Sequence, residues 1–171
     1  KGLIIRVKKG LYIWGRDLDF SEYSKEILAN LIYGPSYVSL EYALSFYGLI
    51  PERVEIVTSV TCKKNKMFHT PVGLFEYAHL HISSYPHGVT LHIINNAESF
   101  LIATPEKALL DFIALRTPKG FSHFSLAQLI HDDLRIGENE FASLNMDLLH
   151  QYGTHYKSTS IKQFLKMVQN G

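Results

Sequence analysis

The spacing of apolar residues changes twice along this chain, and the change limits the folds open to it. Between Val54 and Thr104 apolar residues fall at every second position, as in strands with one buried face, whereas helical spacing prevails on both sides. The turns inside this stretch, at 85–88 and 95–96, leave links too short for crossover helices. The sequence therefore predicts an α+β fold with a largely antiparallel sheet, flanking helices and a C-terminal helical part.

Capping residues mark where the helices begin and end. The predicted helices run from Ser21 or Ser24 to Tyr33, from Ser39 to Gly48, from Thr104 to Arg116, from near Ser125, from Glu138 to Gln151, and from Ser158 or Ser160 onward. In the last of these, Ile161, Phe164, Leu165 and Val168 share one face, so we expect that face to dock against the rest of the protein.

A short hairpin is predicted at the start of the sequence. The strand-like runs 3–7 and 11–14 are joined by Lys8-Lys9-Gly10, which suits a tight turn. Because an isolated hairpin is marginal in water, we expect it to pack against another part of the protein. The predicted organisation is a wing-like hairpin at 1–16, an α+β domain at 17–120 and a helical part at 121–171.

Charge is nearly balanced overall but clustered locally. The 17 Lys and Arg residues against 16 Asp and Glu residues give a net charge of +1. Clusters of like charge are typical of contacts with polyanions, although solvated surface patches are the more common explanation. The basic clusters are Arg6, Lys8 and Lys9; Lys63, Lys64 and Lys66; and Lys162 with Lys166.

Several features of the sequence bear on the cellular compartment. No apolar run is long enough to span a bilayer, and the first residues lack the pattern of a signal peptide. Cys62 is the single cysteine, so no internal disulfide can form. We therefore expect a cytoplasmic protein that makes no membrane contact.

Candidate metal and nucleophile sites are weak. Lys63 beside Cys62 could lower the pKa of the thiol, but no histidine is placed nearby to support catalysis. His79 and His81 share one face of a predicted strand, and with His92 they could bind zinc. Histidine alternating with apolar residues is more typical of the wet face of a half-buried strand. We predict no metal site and no cofactor.

The carboxylates and lysines of the sequence do not form a convincing catalytic site either. A nuclease needs carboxylates that hold a divalent metal, and Glu55 with Lys63 is the nearest pair, although Lys63 lies beyond the predicted strand. Glu106, Lys107 and Asp111 fall on the first turn of a predicted helix and its flank. We interpret them as exposed residues with capping and solubility roles, and we predict that the protein is not an enzyme.

Three segments, taken in order, carry a family resemblance. The hairpin 2–12 is similar to the wing of a winged helix-turn-helix. The segment Ser36 to Pro51 and the strand-into-helix segment Ala103 to Asp111 resemble the antitoxin domain of the AbiEi family, the transcription-regulating half of type IV toxin–antitoxin systems. The stretches 70–73 and 75–80 also look like strands of that domain.

The resemblance implies a DNA-binding antitoxin that represses its own transcription. It further implies a nucleotidyltransferase-like toxin as functional counterpart, without a stable complex, and it implies no catalytic residues. The helices that normally precede the wing, including the recognition helix, are not in this sequence. On this interpretation Arg6, Lys8 and Lys9 contact the phosphates of operator DNA. A second basic patch is formed by Lys63, Lys64, Lys66, Lys162 and Lys166.

Two alternatives stay open. The first is a non-catalytic protein-interaction module, in which some of the plentiful aromatic residues form an exposed patch. We expect most of these aromatic residues to lie in the core: Tyr33, Tyr37, Phe46, Tyr47, Phe121 and Phe124. The second alternative is a degenerate nuclease-like domain, whose sign would be an acidic pocket that holds a metal ion.

Overall fold

The computed structural model describes residues 4–15, 23–118 and 123–170. The predicted α+β class is confirmed. The strands are β1 (Ile4–Lys8), β2 (Leu11–Trp14), β3 (Ser36–Val38), β4 (Val57–Thr61), β5 (Lys66–Thr70), β6 (Gly73–His79), β7 (Val89–Ile93) and β8 (Ser99–Ala103). The helices are α1 (Lys25–Ile32), α2 (Leu40–Phe46), α3 (Pro105–Arg116), α4 (His123–Gln128), α5 (Glu138–Ala142), α6 (Met146–Gly153) and α7 (Thr159–Asn170), and a π-helical turn (Leu129–Asp133) follows α4.

The main sheet has six strands in the order β5-β6-β4-β3-β8-β7. Antiparallel pairing joins β5 to β6, β4 to β3 and β8 to β7, but β4 is parallel to β6 and β3 is parallel to β8. Three of the five pairs are antiparallel, so antiparallel pairing is in the majority although the sheet is mixed. The connection from β4 to β6 contains β5, so a strand rather than a helix provides the crossover that parallel neighbours require.

Helices cover the centre of the sheet on both faces. In the register, Tyr37 lies beside Val60 and Ser59 lies beside Tyr77, so Tyr37 and Tyr77 point to opposite faces. The Tyr77 hydroxyl donates to the carbonyl of Ala29 on α1, at 2.6 Å, whereas the Tyr37 hydroxyl donates to α3. Because both faces are covered, all five residues of β4 are buried. The alternation of residues predicted for 54–60 therefore does not mark a strand with one exposed face.

The C-terminal helices pack against α3 on the side away from α1. Helix α3 contacts both α6 and α7, and Ile161 and Phe164 of α7 are fully buried, which confirms the predicted docking face. The single helix predicted for 138–151 is wrong. The chain forms α5 and α6 instead, because Asn145 caps α6 by accepting bonds from the backbone N–H groups of Asp147 and Leu148.

The N-terminal hairpin forms a separate two-stranded sheet, as predicted. Its inner face packs on the core through buried Val7 and half-buried Ile5, Leu11 and Ile13. Its outer face exposes Ile4, Arg6, Tyr12 and Trp14. This two-faced pattern gives the hairpin the support that an isolated pair of strands lacks. No helix in the described part of the chain is long and apolar enough to cross a membrane.

Candidate nucleic-acid interface

Lysines from two distant parts of the sequence meet at the C-terminal end of α1. The Lys8 ammonium, on the hairpin, donates to the carbonyl of Ile32, and the Lys63 ammonium, just after β4, donates to the carbonyl of Gly34. The last turn of α1 contains no basic residue of its own. Since the C-terminal end of a helix carries partial negative charge and unpaired carbonyls, it is a favourable place for ammonium groups.

The ring of Tyr33 holds the second lysine cluster in place. The Lys63 and Lys66 ammonium groups lie 5.1 Å and 5.5 Å from its centroid, and Lys66 also lies 5.0 Å from the centroid of Phe68. Tyr33 in turn contacts Phe68 and Tyr77, with centroid separations of 5.7 Å and 5.3 Å. Cation–π contacts of this kind fix a lysine on an aromatic platform without neutralising its charge.

The hairpin cluster and the β4–β5 cluster therefore reach the same helix end, through Lys8 and Lys63. We group the two clusters under the name α1-end surface and define it by Arg6, Lys8, Lys9, Lys63, Lys64 and Lys66. Within the described residues, none of these side chains ion-pairs with a carboxylate. Among the described residues, their positive charge is therefore not neutralised by an ion pair.

The six residues of the α1-end surface are not equivalent. Arg6 and Lys9 are exposed, whereas Lys8 is half-buried with its ammonium engaged by α1. Lys162 and Lys166 are exposed on α7, which lies across the sheet from α1. The predicted second patch is thus divided: Lys63 lies at the helix end that Lys8 also contacts and Lys66 shares the Tyr33 ring with it, whereas Lys162 and Lys166 lie on α7.

Aromatic side chains accompany the basic residues on the outer face of the hairpin. Arg6 is paired across the strands with Tyr12, and Ile4 is paired with Trp14. Tyr12 and Trp14 are 57% and 60% exposed. Basic and aromatic groups interleaved on one surface are typical of contacts with nucleic acid, in which phosphates and sugars are bound together.

The aromatic residues expected in the core have mixed positions. Tyr37 is fully buried, Tyr33 and Tyr47 are half-buried, and Phe46 is 40% exposed. Phe121 and the side chain of Phe124 lie outside the described part of the structure.

The candidate metal site and the candidate nuclease pair are not assembled. His79 ends β6 and His92 lies on β7, and β4, β3 and β8 separate these two strands. No group of three metal-binding side chains occurs among the described residues. Glu55 lies before β4 and pairs with Arg53 at 2.9 Å, while Lys63 belongs to the α1-end surface.

The thiol of Cys62 is not activated in the way its lysine neighbours suggested. Burial raises its pKa, and the opposing effect of Lys107 is the smaller one. Because the thiolate is the reactive form, a raised pKa argues against a nucleophilic role.

Glu106, Lys107 and Asp111 are buried, so their interpretation as exposed residues is wrong. The side chains of Lys107 and Asp111 are fully buried, and they form an ion pair of 3.0 Å. Glu106 is 7% exposed, and its carboxylate accepts a hydrogen bond from the backbone N–H of Asn145 at 3.0 Å. Buried ionised groups require partners for their remaining donors and acceptors, and these residues have them.

A closed set of hydrogen bonds surrounds this ion pair, which we call the Lys107 network. The Lys107 ammonium donates to the Ser84 carbonyl at 2.7 Å and to the Tyr156 hydroxyl at 2.6 Å. The Asp111 carboxylate accepts from three hydroxyl groups, which belong to Tyr37 at 3.0 Å, Ser39 at 2.8 Å and Tyr156 at 2.5 Å. These hydrogen bonds join β3, α3, the β6–β7 connection and the loop before α7. The Lys107 and Asp111 groups are already bonded within the network, so none of them is left to bind a substrate.

Ionisation of the network is biased by its surroundings. Burial lowers the pKa of Lys107, although the attraction of Asp111 opposes this effect. Burial and the nearby Asp111 charge hold the pKa values of Tyr37 and Tyr156 well above the ordinary tyrosine value. Both hydroxyls therefore stay protonated and remain donors to Asp111.

A stacked histidine pair lies close to the network. The rings of His87 and His155 are 3.5 Å apart and nearly parallel, at 4°. Burial lowers the pKa of His87 below its ordinary value of 6.5, and the charges of His155 and Lys107 lower it further. Because the folded pKa lies below the unfolded one, this contribution to stability is complete above pH 6.5 and declines as pH falls below that value.

We expect a proton NMR titration of His87 to have its midpoint below 6.5. In the variant His155→Ala the midpoint should rise towards 6.5, because one of the effects that lower the pKa of His87 is removed. Lys162→Ala on α7 serves as a control for a general change in charge. A midpoint at or above 6.5 in the unsubstituted protein would contradict the assignment.

No protein-family model matches this sequence, and a search of curated proteins finds no significant relative. The assignment of DNA binding therefore depends on the geometry of the α1-end surface.

Proposed function

We propose that this chain is a DNA-binding regulator: an antitoxin that also represses transcription, and that contacts the phosphate backbone through the α1-end surface. The observation that carries the proposal is the meeting of two basic clusters, remote in sequence, at one helix end, with no ion pair to a carboxylate in the described part of the chain. Duplex DNA presents closely spaced negative charge, so a surface of this kind gains affinity by releasing condensed counterions.

The hairpin would act as a wing that lies along the backbone. Arg6 and Lys9, which are exposed, would contact phosphates directly. Lys8 would hold the hairpin against α1 through its bond to the Ile32 carbonyl, and so position the other two. Phosphate contacts fix orientation but do not read bases, so the proposal assigns no sequence recognition to the hairpin.

The antitoxin part of the proposal rests on the family resemblance of the hairpin and of the segments around Ser39 and Thr104. It assigns the protein to the cytoplasm, with a nucleotidyltransferase-like toxin as functional counterpart and no stable complex between the two. It assigns no catalysis. The Lys107 network takes no part in the interface, since its groups are bonded to one another.

The proposal predicts a characteristic salt dependence of DNA binding. Fluorescence anisotropy with a labelled duplex should show affinity falling steeply between about 50 and 200 mM salt. Arg6→Ala and Lys9→Ala should each reduce the slope of log K against log salt by roughly 0.9, because each variant removes one phosphate contact. Lys64→Ala should act in the same direction.

The matched control is Lys162→Ala, which removes an exposed lysine from α7, across the sheet. It should leave both the affinity and the slope unchanged. An equal loss in the control would indicate a general charge effect, and unchanged binding in Arg6→Ala and Lys9→Ala would remove the hairpin from the interface. Either result would overturn the proposal.

A further inference from the structure

The two edge strands of the main sheet differ in the charge of their side chains. Strand β5 forms one edge, and it begins at Lys66 close to Lys63 and Lys64. Strand β7 forms the other edge, and its sequence Val-Thr-Leu-His-Ile contains no lysine, arginine or carboxylate. Charged residues on an edge strand normally prevent it from pairing with another chain. The lysine on β5 therefore disfavours such pairing, whereas β7 has no charged residue to prevent it.

Along β7, alternate backbone groups have no hydrogen-bond partner among the described residues and could pair with a further strand. The Ile94 N–H donates to Glu98 and the Thr104 N–H donates to Gly88, at 2.9 Å and 2.8 Å. Hydrogen-bonded pairs alternate along an antiparallel ladder, and the β7–β8 register has no interruption. Even-numbered residues of β7 therefore bond to β8, and the N–H and carbonyl groups of Val89, Leu91 and Ile93 point outward.

The side chains beside this edge are apolar and exposed. Leu91 and Ile93 are 54% and 66% exposed, and Leu101, directly opposite Leu91 on β8, is 41% exposed. These residues lie on one face of the sheet, since Val89, Leu91 and Ile93 alternate with Thr90 and His92. An uncharged edge and an apolar face on the same strand point to a strand of matching pattern as the partner.

We propose that β7 pairs antiparallel with β7 of a second copy of this chain, about a two-fold axis at Leu91. In this register Leu91 faces its own counterpart, Val89 faces Ile93, and Thr90 faces His92. Each outward-facing residue then both donates and accepts a backbone hydrogen bond, and the exposed leucines form a continuous row across the axis. The strand is self-complementary, as a two-fold interface requires, and like charges do not oppose one another along it.

The small size of the contact favours a weak association. The shared surface consists of one five-residue strand and a few apolar side chains, which is smaller than the roughly 800 Å² per partner of a standard stable interface. We therefore expect a reversible dimer with a dissociation constant of about 1–100 µM. This pairing does not depend on DNA binding, because β7 is at the opposite edge of the sheet from β5 and its neighbouring lysines.

Sedimentation velocity of the full chain over about 2–200 µM should show the weight-average mass rising from monomer to dimer. Leu91→Lys should abolish this rise, because it places two ammonium groups against each other at the axis. Ile82→Lys is the matched control, since it introduces the same charge at a 63% exposed apolar residue away from β7, and it should leave the rise intact.

A backbone variant distinguishes loss of dimerisation from loss of folding. Leu91→Pro removes only an outward N–H, which an edge strand tolerates, so circular dichroism should be unchanged while dimerisation is lost. In a Cys62→Ser background, a short bismaleimide should join Leu91→Cys chains into dimers but should not join His69→Cys chains, which carry the thiol on β5. A monomer throughout the concentration range, or a dimer that survives both Leu91→Lys and Leu91→Pro, would overturn the proposal.

Discussion

Replacing Asp111 with alanine is expected to lower the free energy of unfolding by about 3–5 kcal/mol, as when one partner of a buried ion pair is removed. The side chain of Lys107 is fully buried, and Asp111 is the carboxylate that pairs with its ammonium in the described part of the chain. The hydroxyls of Tyr37 and Ser39 also lose the carboxylate that accepts their hydrogen bonds. Unpaired buried donors add their own desolvation cost.

Urea denaturation followed by circular dichroism would measure this loss, with Arg53→Ala as the control. Arg53 pairs with Glu55 at 2.9 Å, but the two side chains are 89% and 66% exposed. Exposed pairs contribute about 0–1 kcal/mol, so the control should change little. A loss in Asp111→Ala no greater than in Arg53→Ala would show that the buried charges are not coupled as the geometry indicates.

A double variant separates the ion pair from its surroundings. Lys107→Met combined with Asp111→Leu removes both charges and retains apolar volume, so it should be less destabilising than the sum of the single changes. It should still be less stable than the unsubstituted protein, because Tyr37, Ser39 and Tyr156 would lose a common acceptor. Simple additivity would contradict the coupling.

Local signals in the sequence predicted the helix starts well. The Ser24 hydroxyl accepts a bond from the Ile27 N–H, and the Thr104 hydroxyl accepts one from the Lys107 N–H, as N-caps do. Ser39 precedes α2 as predicted, but its hydroxyl donates to Asp111 instead of capping the helix. A cap can be inferred from neighbours in sequence, whereas a bond between residues 39 and 111 depends on the tertiary fold.

The burial of α3 was missed although a signal was present. Lys107 and Asp111 have the spacing of an exposed ion pair on a helix surface. However, Ala108, Leu109, Leu110, Phe112 and Ile113 leave little of the helix circumference polar, and all five are buried. A helix that is apolar nearly all round is an interior helix, and its charged residues must then find partners inside the protein.

The order of the strands could not be obtained from periodicity. Strand β3 has only three residues, and β5 begins at a lysine, so neither gives a clear alternating pattern. Their pairing decides which strands are parallel and which lie at the edges. The meeting of the two lysine clusters at α1 has the same origin, because it joins residues 24 or more positions apart through the packed fold.

Replacing Gly88 with alanine is expected to cost roughly 2–5 kcal/mol of folding free energy. Gly88 has a φ of +77°, and an added Cβ would lie 2.8 Å from the Cβ of Lys107 and 2.8 Å from the ring of Tyr152. The left-handed backbone alone costs an alanine about 1–2 kcal/mol. Overpacking adds about 1–3 kcal/mol, because the Cβ of Lys107 is fixed by its own helix and cannot move aside.

Gly48→Ala separates the two contributions. Gly48 has a similar φ of +70°, but a Cβ there would meet no atom within 4 Å. Its cost should therefore be limited to the backbone contribution of about 1–2 kcal/mol. Thermal or urea unfolding of both variants gives the difference. If Gly88→Ala were no less stable than Gly48→Ala, the close approach of Lys107 and Tyr152 to residue 88 would be wrong. A clearly larger loss at Gly88 would show that the turn before β7 is packed tightly against α3. The hydrogen bond from the Thr104 N–H to the carbonyl of Gly88 holds this turn at the start of that helix.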